Sequence, residues 1–191
     1  MGSGQITAVL MGRPHEGMPA GAQQKSRNLN NGETRRKEEM DIYAKLEEKG
    51  ITLPAPPPKG GVYTPVMEFG DHLLYCSGCG NDIGDGKHVT GKVGKDLTLE
   101  EGQAAAYNCM LNLLANLQDK LGDLNRIKRC VKVLGFVNCT DDFTRQPQVI
   151  NGGSNLLLEL LGPEIGLPAR TAMGTNSTPG NITGEIERLV E

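Results

Sequence analysis

The chain has no tryptophan, and only four tyrosines and three phenylalanines among 191 residues. Proteins that hold single-stranded nucleic acid stack bases on aromatic side chains, and this chain has few to offer. Binding to a phosphate backbone needs an excess of clustered cations. Here the formal net charge is −3, with a small basic excess before residue 40 and a clear acidic excess after it. No apolar run approaches the ~20 residues that cross a bilayer. The one apolar stretch near the N-terminus, Ile6 to Met11, is too short for the core of a signal peptide. Nucleic acid and membrane are therefore excluded from the expected partners, and a cytoplasmic location is expected.

Metal and disulfide chemistry are also thinly supplied. The three histidines, His15, His72 and His88, form no ligand cluster. Five cysteines, at positions 76, 79, 109, 130 and 139, are odd in number and follow no framework spacing. In a cytosolic protein they are expected to be reduced. Cys76-Ser77-Gly78-Cys79 is the lone C-x-x-C. A structural zinc site needs a second pair, and a redox pair favours a helix N-terminus. The expectation is one buried small residue and one loop thiol. Sequons at Asn138, Asn176 and Asn181 carry no meaning without a secretory route. No metal and no cofactor are predicted.

Gly86-x-x-x-x-Gly91-Lys92-Val93 falls short of a phosphate-binding loop. Valine stands where Ser or Thr would reach magnesium, and the next helix starts too late for its amides to cradle phosphate.

The chain divides into two parts. Residues 1–39 are rich in Gly, Gln, Asn and Arg and have no periodicity, so they read as a disordered or adventitious extension. Met40-Asp41 reads as the start of one domain, 40–191. Asp41 suits the cap of a short helix with Ile42 and Leu46 on one face and Gly50 as its stop. Pro54 to Pro58 is an extended linker, and His72 to Ser77 a strand. Glycine-rich 78–95 is a long loop. Thr98-x-x-Glu101 is a capping box opening a helix with Leu111, Leu114, Leu117 and Leu121 on one face, ending at Gly122. Ile127 to Cys139 alternates as a strand. A second helix is predicted over Asn151 to Leu161, and two strands near 170–176 and 182–190. The fold class is α+β, with a mixed sheet and two main helices on one face. The bare face of such a sheet needs a cover, and self-association supplies one.

Candidate chemistry concentrates in the last quarter. Arg170, in Ala169-Arg170-Thr171-Ala172, and Glu185, fifteen positions later, sit on two short strands separated by Ser177-Thr178-Pro179-Gly180-Asn181. A hairpin-like return would bring both to one cleft. A guanidinium fork binds a carboxylate by paired hydrogen bonds, and a nearby glutamate can deprotonate water. A strand ion pair at a sheet surface uses the same two residue types.

From Met40 onward the chain resembles the RidA/YjgF family of imine deaminases, in its longer branch. The resemblance is carried in order by Leu46 to Ile51, Leu53-Pro54, Pro56-Pro57-Pro58, Gly61-Val62-Tyr63, Ser77-Gly78 and Gly91 to Gly94. Glu100 to Ala105, Leu121 to Leu124, Phe136-Val137-Asn138, Val149 to Gly152 and Ala169 to Ala172 complete it. It implies a chorismate-mutase-like fold, a homotrimer with its sheets packed in a central barrel, and hydrolysis of 2-aminoacrylate-type imines to keto acids. It gives Arg170 the substrate carboxylate and Glu185 the attacking water, with Tyr63, Ser77 and Asn151 lining the pocket. Two alternatives stay open: a non-catalytic binder of small carboxylates, and the ribonuclease activity attached to some members. Bland roles exist for each pocket residue. Tyr63 can cover a core edge, Ser77 can cap a strand end, and Asn151 can be the N-cap of the second helix. Glu187, two residues on from Glu185, reads as a solvated or subunit-interface charge. Cys79 replaces the glutamine usual after Ser-Gly, a change in the pocket wall.

Overall fold

The computed structural model describes residues 41–85 and 89–191; the 1–39 segment, Met40, and the Gly86 and His88 positions lie outside the described residues. Helix α1 (Ile42–Glu48) begins where the Asp41 carboxylate accepts the Tyr43 N–H at 3.0 Å. The same carboxylate takes an N–H from the Asn125 side chain, and the two bonds hold its pKa below the ordinary aspartate value. Helix α2 (Leu99–Leu121) carries the predicted capping box. Thr98 Oγ1 accepts from Glu101 N at 3.1 Å, and the Glu101 carboxylate accepts from Thr98 N at 2.8 Å. It stops at Gly122, whose φ of 74° is a left-handed cap that glycine adopts without cost.

Helix α3 (Gln146–Gly166) starts five residues earlier than the sequence suggested. Its first turn has no side-chain cap and holds Pro147, which lacks an N–H to lose. Asn151 is therefore inside the helix, not its cap. The helix breaks at Gly162-Pro163, where Gly162 has φ 68°. It crosses α2 at Gly152 and Gly153. A Cβ on Gly152 would lie 2.0 Å from Gln103 O, and one on Gly153 would lie 2.8 Å from Ala106 O. The glycine pair thus allows backbone-to-backbone approach of the two helices.

Among the described residues five strands form one sheet: β1 (Val66–Phe69), β2 (Leu73–Gly80), β3 (Cys130–Asn138), β4 (Ala169–Thr175) and β5 (Gly184–Val190). The order is β1-β2-β5-β3-β4, antiparallel throughout except for the β3/β4 pair. Parallel β3 and β4 are joined by α3, as a crossover requires. This corrects the hairpin expectation: β4 and β5 are not neighbours, because β3 lies between them. The 78–95 loop is also shorter than predicted, since β2 runs on to Gly80, and β1 is an additional strand.

The two sheet faces differ by alternation. Val133, Val137, Ile186, Val190, Leu74 and Cys76 face the helices and are buried. The other face carries Met67, Phe69, Tyr75 and Met173, all exposed, together with Glu185 and Glu187. One charged residue faces inward on β5. Arg188 is 1% exposed, and its guanidinium donates to Cys130 Sγ (2.9 Å) and Met110 Sδ (3.7 Å), with Nε unpaired.

Candidate functional site

Arg170 pairs with Val133 across the parallel β3/β4 ladder, so its side chain leaves the sheet on the helix face. There the guanidinium meets the first turns of α3. Nη1 donates to Asn151 Oδ1 at 2.8 Å and to Ser154 Oγ at 2.9 Å; Nη2 donates to Pro147 O at 3.3 Å. Asn151 and Ser154 are three residues apart and so share one helix face. A guanidinium has five donors. The Nε–H and one Nη2 hydrogen remain without a protein acceptor among the described residues, on an exposed side chain. The fork is braced from behind and open in front. Ser154 was not foreseen from sequence; its spacing from Asn151 was the available signal.

Glu185 pairs with Phe136 on β3 and with Gly80 on β2. It faces the opposite side of the sheet. Its carboxylate lies against β2 where that strand bulges: two residues, Ser77 and Gly78, stand between the Cys76 and Cys79 pairings where β5 has only Glu187 between Arg188 and Ile186. A Cβ on Gly78 would sit 1.9 Å from Glu185 Oε1. Burial, and then the neighbouring charge of Glu187, raise the pKa of Glu185 above the usual carboxylate value. Glu187 accepts a hydrogen bond from Tyr75 Oη at 2.7 Å, which raises the pKa of that phenol.

Ser77 lies within the bulge, not at a strand end. Its N–H donates to Pro65 O (2.9 Å) and its hydroxyl to Thr64 O (2.8 Å). These bonds tie the Glu185 end of β2 to the segment carrying Tyr63, which is exposed and accepts from Gly60 N at 3.3 Å. Cys79 is not a loop thiol. It is 5% exposed on β2, accepts from Asn116 Nδ2 at 3.1 Å, and burial pushes its pKa to about 12. It therefore belongs to the core.

The predicted residues thus form two groups. Arg170 and Asn151 stand at the β4 edge on the helix side. Tyr63, Ser77 and Glu185 stand toward the β1-β2-β5 side. Two strand spacings and three residues along β3 separate Arg170 from Glu185, about 14 Å between backbones from ideal sheet dimensions. Their side chains leave opposite faces, so one chain does not bring the clamp to the carboxylate. Among the described residues no group of three or more His, Cys, Asp or Glu is placed to hold a metal ion, and no helix is long and apolar enough to cross a membrane.

A mixed five-stranded sheet with its helices on one face matches a known family. Residues 43–183 match the family model described as "YjgF/chorismate_mutase-like, putative endoribonuclease". The chain is 41% identical over 152 residues to Protein TCP17 of Trypanosoma cruzi, covering 78% of this chain and 93% of that protein. The crystal structure of the Agrobacterium tumefaciens protein Atu1372, of unknown function, superposes with a TM-score of 0.71. It is 41% identical, over 79% of this chain and 91% of its own. A structure from Shewanella oneidensis MR-1 described as a "putative endoribonuclease" gives a TM-score of 0.74 at 29% identity, over 78% and 98%. The chain belongs to the YjgF/chorismate-mutase-like family.

Proposed function

We propose that this protein is an imine/enamine deaminase, hydrolysing 2-aminoacrylate-type imines to 2-keto acids and ammonia, and that it works as a homotrimer with its pockets between subunits. The observation that carries the reading is the division of the site. Arg170, with two donors unpaired among the described residues, stands at the β4 edge, and Glu185 stands on the other face of the sheet, on the central strand β5. A head-to-tail ring would bring the β4 edge of each chain over the open sheet face of its neighbour. It also covers the exposed Met67, Phe69, Tyr75 and Met173. The count of three rests on the family resemblance.

In such a pocket Arg170 clamps the substrate carboxylate, while Asn151 and Ser154 fix the guanidinium plane. Glu185 of the adjoining chain takes a proton from water as the oxygen attacks the imine carbon. The C=N electron pair moves to nitrogen, which is protonated, giving a carbinolamine. Collapse of that adduct breaks the C–N bond, releases ammonia and leaves a ketone. Tyr63 and Ser77 line the water side. The imine is intrinsically labile, so positioning supplies most of the rate. The acidic charge and scarcity of aromatics count against a ribonuclease.

The test is subunit mixing. Arg170→Ala and Glu185→Gln should each be inactive toward imine released in situ by an amino-acid dehydratase. An equal mixture, unfolded and refolded together, should regain about a quarter of wild-type activity, because a quarter of randomly formed interfaces hold both native residues. No recovery would rule out the shared site. Absence of turnover in the wild-type protein, with keto acids still bound, would replace the enzyme by a carboxylate binder.

A further inference from the structure

Glu185 is a half-buried carboxylate to which no group among the described residues donates a hydrogen bond. The position of its Oε1 is the volume that a Cβ on Gly78 would occupy, at 1.9 Å, with Cδ at 2.7 Å and Cγ at 2.9 Å from the same point. The carboxylate thus occupies a notch, the space beside the β2 backbone that a side chain at residue 78 would fill. The bulge between Cys76 and Cys79 sets the notch under Glu185. Bulges re-aim side chains near reacting centres. The Gly78 φ is not in the left-handed region, so its backbone does not itself require glycine. The requirement comes from the carboxylate.

We propose that Gly78 is a positioning residue for the reaction: its missing side chain holds the Glu185 carboxylate against β2, out of bulk water and at one fixed height above the open face. This rests on the deaminase reading for its kinetic consequence, but not for its geometry. The clashing atoms are the far end of a flexible side chain. A methyl group at 78 should therefore eject the carboxylate toward solvent and leave the fold intact. Among the described residues the titratable groups that act on Glu185 are Glu187 on its own strand, Cys79 on β2 and Cys109 from α2; Tyr75 Oη bonds Glu187, and the β3 partner of Glu185 is Phe136.

Three measurements on the full chain test the proposal. The first is the titration of the Glu185 carboxyl by carbon-13 NMR, assigned with Glu185→Gln. In Gly78→Ala its midpoint should move down, toward that of an exposed glutamate. The second is turnover of generated imine. Gly78→Ala should lose at least tenfold in kcat with KM little changed, and its acid limb should shift in the same direction as the titration. The third is the cycle with Glu185→Gln, in which Gly78→Ala should add no further loss. An unmoved midpoint, or losses that multiply, would overturn the proposal. If Gly78→Ala does not fold, the Gly78→Ala/Glu185→Ala double variant decides: it should fold like Glu185→Ala, and failure to do so would show that glycine serves the backbone. If the wild-type chain turns over no imine, the deaminase reading fails while the titration still judges the notch.

Discussion

Truncating Arg170 to alanine should cost far more activity than stability, and the structure sets the size of the gap. Two of the five guanidinium donors, the Nε–H and one on Nη2, have no protein acceptor among the described residues. A hydrogen bond to a charged group is worth about 1.5–3 kcal/mol, so losing both from the substrate complex costs roughly 3–6 kcal/mol. At 1.36 kcal/mol per decade of rate, kcat/KM should fall about 10²- to 10⁴-fold. Arg170→Lys keeps the charge but not the planar fork. Its ammonium also cannot satisfy Asn151, Ser154 and Pro147 together while holding a carboxylate. A loss of about 10- to 100-fold is expected, from one lost charged bond. Arg170 is exposed, so folding free energy should change by less than ~1 kcal/mol in either variant. The assay generates 2-aminoacrylate with an amino-acid dehydratase and follows keto-acid appearance above the spontaneous rate, with urea denaturation run beside it. If Arg170→Ala kept kcat/KM within threefold of wild type, the clamp would be refuted and the guanidinium would be only a brace between α3 and β4.

Other outcomes follow from the same structure. Glu185 must be ionised to take a proton, and burial raises its pKa; activity should therefore fall with decreasing pH along a limb above the usual ~4.3 of glutamate, and a limb at or below that value would contradict the assignment. By linkage the same raised pKa stabilises the fold at low pH, a contribution lost as pH rises through the folded value. Arg188→Met should leave stability unchanged or raise it by up to ~4 kcal/mol in urea, because a buried guanidinium with no carboxylate partner among the described residues gives way to an apolar chain of similar length; a loss above ~2 kcal/mol would show that its sulfur contacts matter. Gly152→Ala should destabilise by about 1–3 kcal/mol, as overpacking between α2 and α3 does, and a neutral result would mean the helices separate freely. All five thiols are buried, with Cys76 raised to about 11 and Cys79 to about 12, so Ellman's reagent should label none in the native protein at pH 8; rapid labelling of any would place that residue at the surface.

The parts legible in the sequence were those written locally. The capping box at Thr98 and Glu101, the leucine face to Gly122 and the Asp41 cap are short-range signals, and each element stands where it was read. The start of α3 was missed because Gln146-Pro147 offers no capping side chain, while Asn151 five residues on imitates one. β1 was missed because four residues after a proline-rich run show too little alternation. Strand order is a different matter. Alternation tells which residues of one strand share a face, but not which face of the next strand they join. Arg170 and Glu185 therefore looked like partners in sequence, and the insertion of β3 between their strands, with their side chains on opposite faces, parts them. Gly78 and Ser154 draw their meaning from contacts across 107 and 16 positions, which no local pattern encodes.

The strand order also bears on how the chain is made. β5 is the last strand in chain order, yet it lies in the middle of the sheet, hydrogen-bonded to β2 on one side and β3 on the other. Until residues 184–190 have left the ribosome, β1-β2 and β3-β4 can exist only as two separate ribbons, and an isolated two-stranded ribbon is marginal in water. The sheet thus cannot close before β5 is made, and the apolar residues meant for its interior wait exposed until then. A premature stop before Gly184 would not trim an edge. It would remove the seam that joins the two halves, and the product should be a substrate for chaperones and proteases.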